Sequence, residues 1–221
     1  MAGIDIEYLG KRDYRSTWDY QRDLFERKLR GELRDKLLLV EHNPVFTVGK
    51  SGDMSNIVVD DCILEQTGFQ IISIDRGGDI TYHGPGQLVG YPVIDLNNYY
   101  RDVHRYLRDL EEVVIRALAD FGIAADREEG MTGVWVNGEK IAAIGVKVSR
   151  WITMHGFALN VNTNLDHFNY IVPCGISGRH MTSMKKILDR TVSLRDTAQR
   201  ISFHFCSVFV EENSYARTIV E

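Results

Sequence analysis

A chain of 221 residues that is 44% hydrophobic and 26% charged has the size and composition of one soluble globular domain with a substantial core. Its formal net charge of −5 excludes a sequence-independent nucleic-acid binder, which needs a basic surface. No apolar run reaches the length of a membrane span, and the opening MAGIDIEYLGKRDYRSTW carries early acids without the apolar stretch of a targeting signal. Cys62, Cys174 and Cys206 are odd in number and widely spaced, so they do not form a disulfide framework. The sequence reads as a cytoplasmic protein with reduced thiols.

In chain order, Trp18, Phe25 and Leu29 fall at helical spacing within residues 14–30, and Gly31 can end that helix. LLLVEH (37–42) and VFTVG (45–49) read as short buried strands. GFQIISID (68–75) is a strand delivering the chain into RGGDITYHGPGQL (76–88), and LVGYPVIDL (88–96) is the strand leaving it. Val103, Leu107, Leu110, Val114, Ala117 and Phe121 mark a long amphipathic helix ending at Gly122. Asn137-Gly138, between VWV and EKIAAIGVKVS, is the strongest short hairpin signal. ITMHGFALNVN (152–162) continues as strand, and Leu194, Ala198, Ile201, Phe205 and Val208 describe a C-terminal helix. No repeat, low-complexity tract or linker interrupts the chain, which predicts one domain over 1–221. Hairpins mixed with crossovers favour an α+β fold.

The stretch RGGDITYHGPGQL holds four glycines, a proline and a histidine. No Gly-Lys-Ser/Thr follows, so it is not a phosphate-binding P-loop, and its glycine spacing is not a dinucleotide fingerprint. Glycine just past a strand lets backbone N–H groups approach a ligand closely. On the residues alone, a functional loop and a plain turn with an incidental histidine are equally good readings. Cys174, in IVPCGIS, is set in a loop. Cys206, in FHFCSVFV, lies on an apolar helix, and Cys62, in VDDCILEQ, sits beside acids that oppose a thiolate. A reactive thiol needs a base or cation, for which His83, His155, His180 and Lys140 are candidates. Lys140 and Lys147 are an odd number of positions apart, so a regular strand points them to opposite faces. No C-x-x-C pair or H-x-x-x-H helix is present, which predicts no metal site.

Taken together, Arg76 to Leu88, the Lys140 segment GEKIAAIGVKV and HGFALNVNTNLDHFNYIVPCGISG resemble the lipoyl(octanoyl) transferase family of lipoate biosynthesis. LLLVEHNPVFTVGKSG and MTSM extend the likeness over residues 36–186. The resemblance implies a fold like the biotin and lipoate protein ligase catalytic domain, with a larger mixed sheet, a smaller sheet and flanking helices. It implies an acyltransferase whose Cys174 carries the octanoyl group as a thioester and whose Lys140 activates that thiol. Arg76, Gly77, Gly78, Asp79, Ile80, Thr81, Tyr82 and His83, with Ala143, Ile144, Gly145, Gly156, Phe157 and Ala158, become the acyl pocket, and His155 a supporting residue. No cofactor or metal is implied. The implied partners are octanoyl-acyl carrier protein and the apo lipoyl domains of 2-oxoacid dehydrogenases and glycine cleavage H protein, with no nucleic acid and no membrane. Arg101, Arg105, Arg108, Lys185 and Lys186 are candidate docking cations for such acidic partners. The alternatives are a lipoyl/octanoyl amidotransferase and an ATP-dependent lipoate ligase on the same architecture.

Overall fold

Asp13 accepts the backbone N–H of Ser16 and so caps the first helix. That helix, α1 (Tyr14–Leu29), follows an opening strand, β1 (Ile4–Arg12). The computed structural model describes residues 3–58, 60, 64, 68–172 and 180–212; Cys62 and Cys174 lie outside them. The chain continues through β2 (Asp35–His42), β3 (Val45–Val48), β4 (Gln70–Ser73), β5 (Ile80–His83) and β6 (Gln87–Val93) to α2 (Val103–Ala119). It then forms β7 (Asp126–Glu128), β8 (Met131–Val136), β9 (Glu139–Ser149) and β10 (Ile152–Asn160), and ends in α3 (Met184–Leu188) and α4 (Leu194–Cys206).

Among the described residues, seven strands make the larger sheet in the order β1-β2-β6-β10-β9-β8-β7, and β4-β3-β5 make the smaller. β1 runs parallel to β2 and β3 to β4, while the other neighbours are antiparallel. The α+β class is the one the element pattern predicts, and the larger mixed sheet, smaller sheet and flanking helices are what the family resemblance implies.

Strand alternation sends each face of the larger sheet to a different helix layer. Leu37, Leu39, Leu88 and Leu159 pack with Leu110 and Val114 of α2 and Ile201 and Phe205 of α4. Leu38, Val40, Val89, Tyr91, Met154 and Ala158 pack with Leu24 and Phe25 of α1. Each large side chain buried this way contributes about 1.5–3 kcal/mol. At the β8–β9 hairpin Asn137 and Gly138 have φ of 50° and 79°, the positive pair that a type I′ turn demands.

Two strands were not anticipated. β1 is an edge strand whose Ile6 and Tyr8 are exposed, so its hydrophobic signal is weak, and β7 is only three residues long. The glycine stretch is also more than a turn, since Ile80–His83 pair with β3.

The expected opposite facing of Lys140 and Lys147 is not observed. Val134 pairs with Ala142 but Trp135 pairs with Lys140, leaving Ile141 as the extra residue of a β-bulge. Ile141 and Ala142 both enter the core on the α2/α4 side. The alternation is thereby reset, and both lysines face the α1 side. What separates them is about 20 Å of strand.

Candidate active site

A cavity of about 1020 Å³ is lined by β5 of the smaller sheet, by β6, β9 and β10 of the larger, and by the segments around residues 165–172 and 180–186. Its floor is built from small side chains. Ala143 pairs across the strands with Ala158, and Gly145 with Gly156; Val89 continues the first row on β6. A Cβ at Gly156 would stand 2.2 Å from the Gly90 carbonyl oxygen, and one at Gly145 would be 3.1 Å from Arg76 Cδ. Larger residues at these points would fill the slot or break the sheet.

Of the residues singled out in the sequence, Arg76, Gly78, Asp79, Ile80, Thr81, His83, Lys140, Ala143, Ile144, Gly145, His155, Gly156, Phe157 and Ala158 line this cavity. Gly77 and Tyr82 do not. Gly77 donates its N–H to Val146 O, and Tyr82 is fully buried among Phe46, Phe69 and Phe168 in the small-sheet core. Ile144 and Phe157 reach the cavity only at its edge, because their side chains join the helix-side core. Sequence reasoning missed Tyr14, Val89, Tyr91 and Phe168, which also line it. The alternation of Val89 and Tyr91 in β6 was the available signal.

Lys140 is only 7% exposed. Its N–H donates to His180 O at 3.0 Å, and its carbonyl accepts from Thr182 N at 2.9 Å. Val172 and His180, which flank the segment containing Cys174, both line the cavity. Lys147 instead makes a 2.6 Å ion pair with Asp75.

Arg76 is 8% exposed and donates to Thr47 O, Thr47 Oγ1 and Gly77 O. It makes no ion pair among the described residues, and Asp79 of the same loop lines the cavity with it. A Cβ at Gly49 would lie 2.3 Å from Gly78 O, which is why the two glycine loops can interlock around this arginine. Asp75 joins His155 at 2.8 Å and Lys147. The His155 hydrogen bond, aided by Lys147, holds its carboxyl well below the usual carboxylate range. Burial outweighs Asp75 in its effect on His155 and pulls the imidazole below its ordinary value. The pair is therefore a carboxylate receiving the Nε2–H of a neutral ring. His155 has φ of 56°, a left-handed conformation costing about 1–3 kcal/mol in a non-glycine residue, and its backbone N–H is held by Gln21 Oε1.

His83 reads as a defined tautomer. Gln87 donates its amide to Tyr82 O and Asn160 Oδ1, so its Oε1 must accept the proton of His83 Nδ1 at 2.8 Å. His42 likewise donates Nδ1–H to Arg12 O, and its Nε2 accepts from Tyr91 OH. Burial, with help from His42 and Arg76, lowers His83 to about 3, and burial lowers His42 to about 4. Unfolding returns each ring to about 6.5, so below that pH the unfolded chain binds more protons and stability falls until the folded values are reached. Thermal melts are expected to show a lower Tm at pH 5 than at pH 7, and His42→Gln to lose part of that difference. An equal drop in both proteins would assign it elsewhere.

A profile of the lipoyl protein ligase A/B catalytic domain matches residues 13–206. The octanoyltransferase of Flavobacterium psychrophilum is 47% identical over 223 residues, covering 93% of this chain and 96% of the relative. That of Rubrobacter xylanophilus is 50% identical over 216 residues, covering 96% and 97%. The chain belongs to the octanoyltransferases of this family. It is thus an acyltransferase, and its fold is shared more widely. Lipoate-protein ligase A bound with ATP superposes with a TM-score of 0.79 at 17% identity, over 94% of this chain and 85% of that one. A lipoate protein ligase from Thermoplasma acidophilum, solved in a study of the ligase and its E2 lipoyl domain, gives 0.73 at 16%, over 94% and 84%. Biotin protein ligase from Aquifex aeolicus gives 0.55 at 12%, over 97% and 72%.

Among the described residues, no helix is long and apolar enough to cross a membrane, and no group of three or more acidic, histidine or cysteine side chains could hold a metal. Of the arginines proposed for docking, Arg101 precedes α2 and donates to Asn97 Oδ1 at 2.7 Å, while Arg108 pairs with Glu111 at 2.7 Å and Arg105 with Asp109 at 3.9 Å. Lys186 lines the cavity and pairs with Glu139 at 2.8 Å.

Proposed function

We propose that the 221-residue chain acts in the cytoplasm as one catalytic domain that moves an octanoyl group from octanoyl-acyl carrier protein to a lysine ε-amine of an apo lipoyl domain. The acceptors are the lipoyl domains of 2-oxoacid dehydrogenases and glycine cleavage H protein. The observation that carries this reading is a buried lysine, Lys140, at a cavity whose floor is kept open by the Ala143–Ala158 and Gly145–Gly156 pairs.

Cys174 is the nucleophile. Lys140 takes its thiol proton, and the thiolate attacks the thioester carbonyl of the donor. The new C–S bond forms as the carrier thiol departs and takes up a proton. In the second half the neutral acceptor amine attacks the Cys174 thioester. Lys140 accepts the amine's proton as the amide forms and the C–S bond breaks, and it passes that proton to the departing sulfur, so the Cys174 thiol and the neutral lysine are regenerated. Backbone N–H groups at the glycine turn before β5 stabilise the oxyanion. The octanoyl chain lies over the small-residue floor, where its burial contributes about 0.8 kcal/mol per CH₂. Because the donor is already a thioester, no ATP, metal or cofactor is required. A requirement for ATP with free octanoate would move the chain to the ligase class.

Ala158→Leu tests the slot. The added bulk meets the acyl chain, so octanoyl transfer is expected to drop at least about tenfold while a butyryl thioester keeps most of its rate, in line with the ~10–200-fold discrimination of apolar pockets. Equal losses with both thioesters would remove Ala158 from the acyl site.

A further inference from the structure

The bulge at Ile141 turns Lys140 onto the same face as Trp135, its cross-strand partner. Lys140 Nζ lies 5.0 Å from the centroid of the Trp135 ring, inside the range of a cation–π contact. Both residues are buried, Trp135 at 4% and Lys140 at 7% exposure, so water does little to weaken that contact. The lysine stem runs over Gly133. A Cβ there would stand 2.5 Å from Lys140 Cε, 3.2 Å from Nζ and 2.8 Å from Ala142 O, so only glycine leaves the stem its path. Gly133 has φ of 137°, a conformation glycine alone adopts readily. It is pinned from behind, because its N–H donates to Glu111 Oε1 at 2.9 Å. Glu111 is fully buried and is itself held by Arg108 and Arg127.

We propose that Trp135 and Gly133 are positioning residues that hold the Lys140 ammonium over the indole face and so favour an ammonium–thiolate pair with Cys174. This rests on the reading of Lys140 and Cys174 given above. The step is a proton transfer: the S–H bond of Cys174 breaks and an N–H bond forms on Lys140. The negative face of the indole stabilises the charged ammonium over the neutral amine, and the thiolate is populated as a result. Glu139, paired with Lys186, and Asp166, His180, Arg76, Asp79, His83, His155, Tyr14 and Tyr91 are the other charged or titratable groups that line the same cavity. Glu111 stands behind Gly133 on α2.

The test is the pH profile of Cys174 alkylation by iodoacetamide, read by peptide mass mapping in wild type, Trp135→Leu, Trp135→Phe, Gly133→Ala and Lys140→Met. The wild-type midpoint is expected below the ordinary thiol value of about 8.5. Trp135→Leu moves it upward and slows alkylation at pH 7 about tenfold, the size of a sheltered cation–π contact. Trp135→Phe restores most of the rate because a phenyl face also binds a cation. Gly133→Ala displaces the stem and shifts the midpoint in the same direction as Trp135→Leu. An unchanged midpoint in Trp135→Leu, with a shifted one in Lys140→Met, overturns the proposal and leaves the reading of Lys140 standing. An unchanged midpoint in Lys140→Met overturns that reading too. Where circular dichroism shows Trp135→Leu unfolded, Gly133→Ala decides by the same criterion.

Discussion

Cys174→Ala is expected to lower octanoyl transfer by more than about 10⁴-fold, the loss that follows removal of a covalent nucleophile whose partners remain in place. Among the described residues, no other thiol is set to replace it. Cys206 ends α4, within a helix whose buried Ile201 and Phe205 belong to the core on the far side of the larger sheet. Cys206→Ala is therefore expected to transfer within about twofold of wild type, as peripheral changes do, and Cys62→Ala likewise, because the acids beside it in the sequence oppose a thiolate. A steady-state assay with a small octanoyl thioester and a lipoyl domain measures all three. Residual activity above about one percent in Cys174→Ala would exceed what positioning alone supplies and would remove the thioester from the mechanism.

Lys140→Met is expected to cost about 10²–10⁴-fold in the same assay, the range for loss of a positioned base. Lys147→Met carries the control. It faces the same side of β9 but sits against Asp75 and over the Phe25 ring, outside the cavity. Its loss is expected to leave transfer within about threefold and to lower stability by about 1 kcal/mol or less, because the Lys147–Asp75 pair is a partly exposed one. A larger activity loss in Lys147→Met than in Lys140→Met would mean that the functional lysine has been misassigned.

Much of this architecture is legible in the residues. Asn137-Gly138 announces its hairpin because few other pairs tolerate two positive φ values. The apolar spacing of Val103 to Phe121 leaves little alternative to the amphipathic helix α2. The cavity is legible through motifs, since Arg76, His83, Lys140 and the small residues at 143, 145, 156 and 158 converge on it from three strands and the loop before β5. The facing of Lys140 was not legible. A bulge within EKIAAIGVKVS leaves no mark in a run of small and β-branched residues, because either register buries a similar set. The contacts of Lys140 with Trp135 and Gly133 depend on that same register, so they too needed the pairing to be seen. Tyr82 shows the complementary failure. It lies within the glycine stretch, yet strand alternation in β5 turns it into the aromatic core beside Phe46 and away from the cavity.

Transfer through Cys174 passes by an acylated chain, which intact-mass measurement of the protein mixed with a small octanoyl thioester, without acceptor, detects. A gain of one octanoyl group is expected, mapped to Cys174, absent in Cys174→Ala and discharged when a lipoyl domain is added. Transfer to the lipoyl domain with no acylated chain at any time, or with the octanoyl group on another residue, would contradict it.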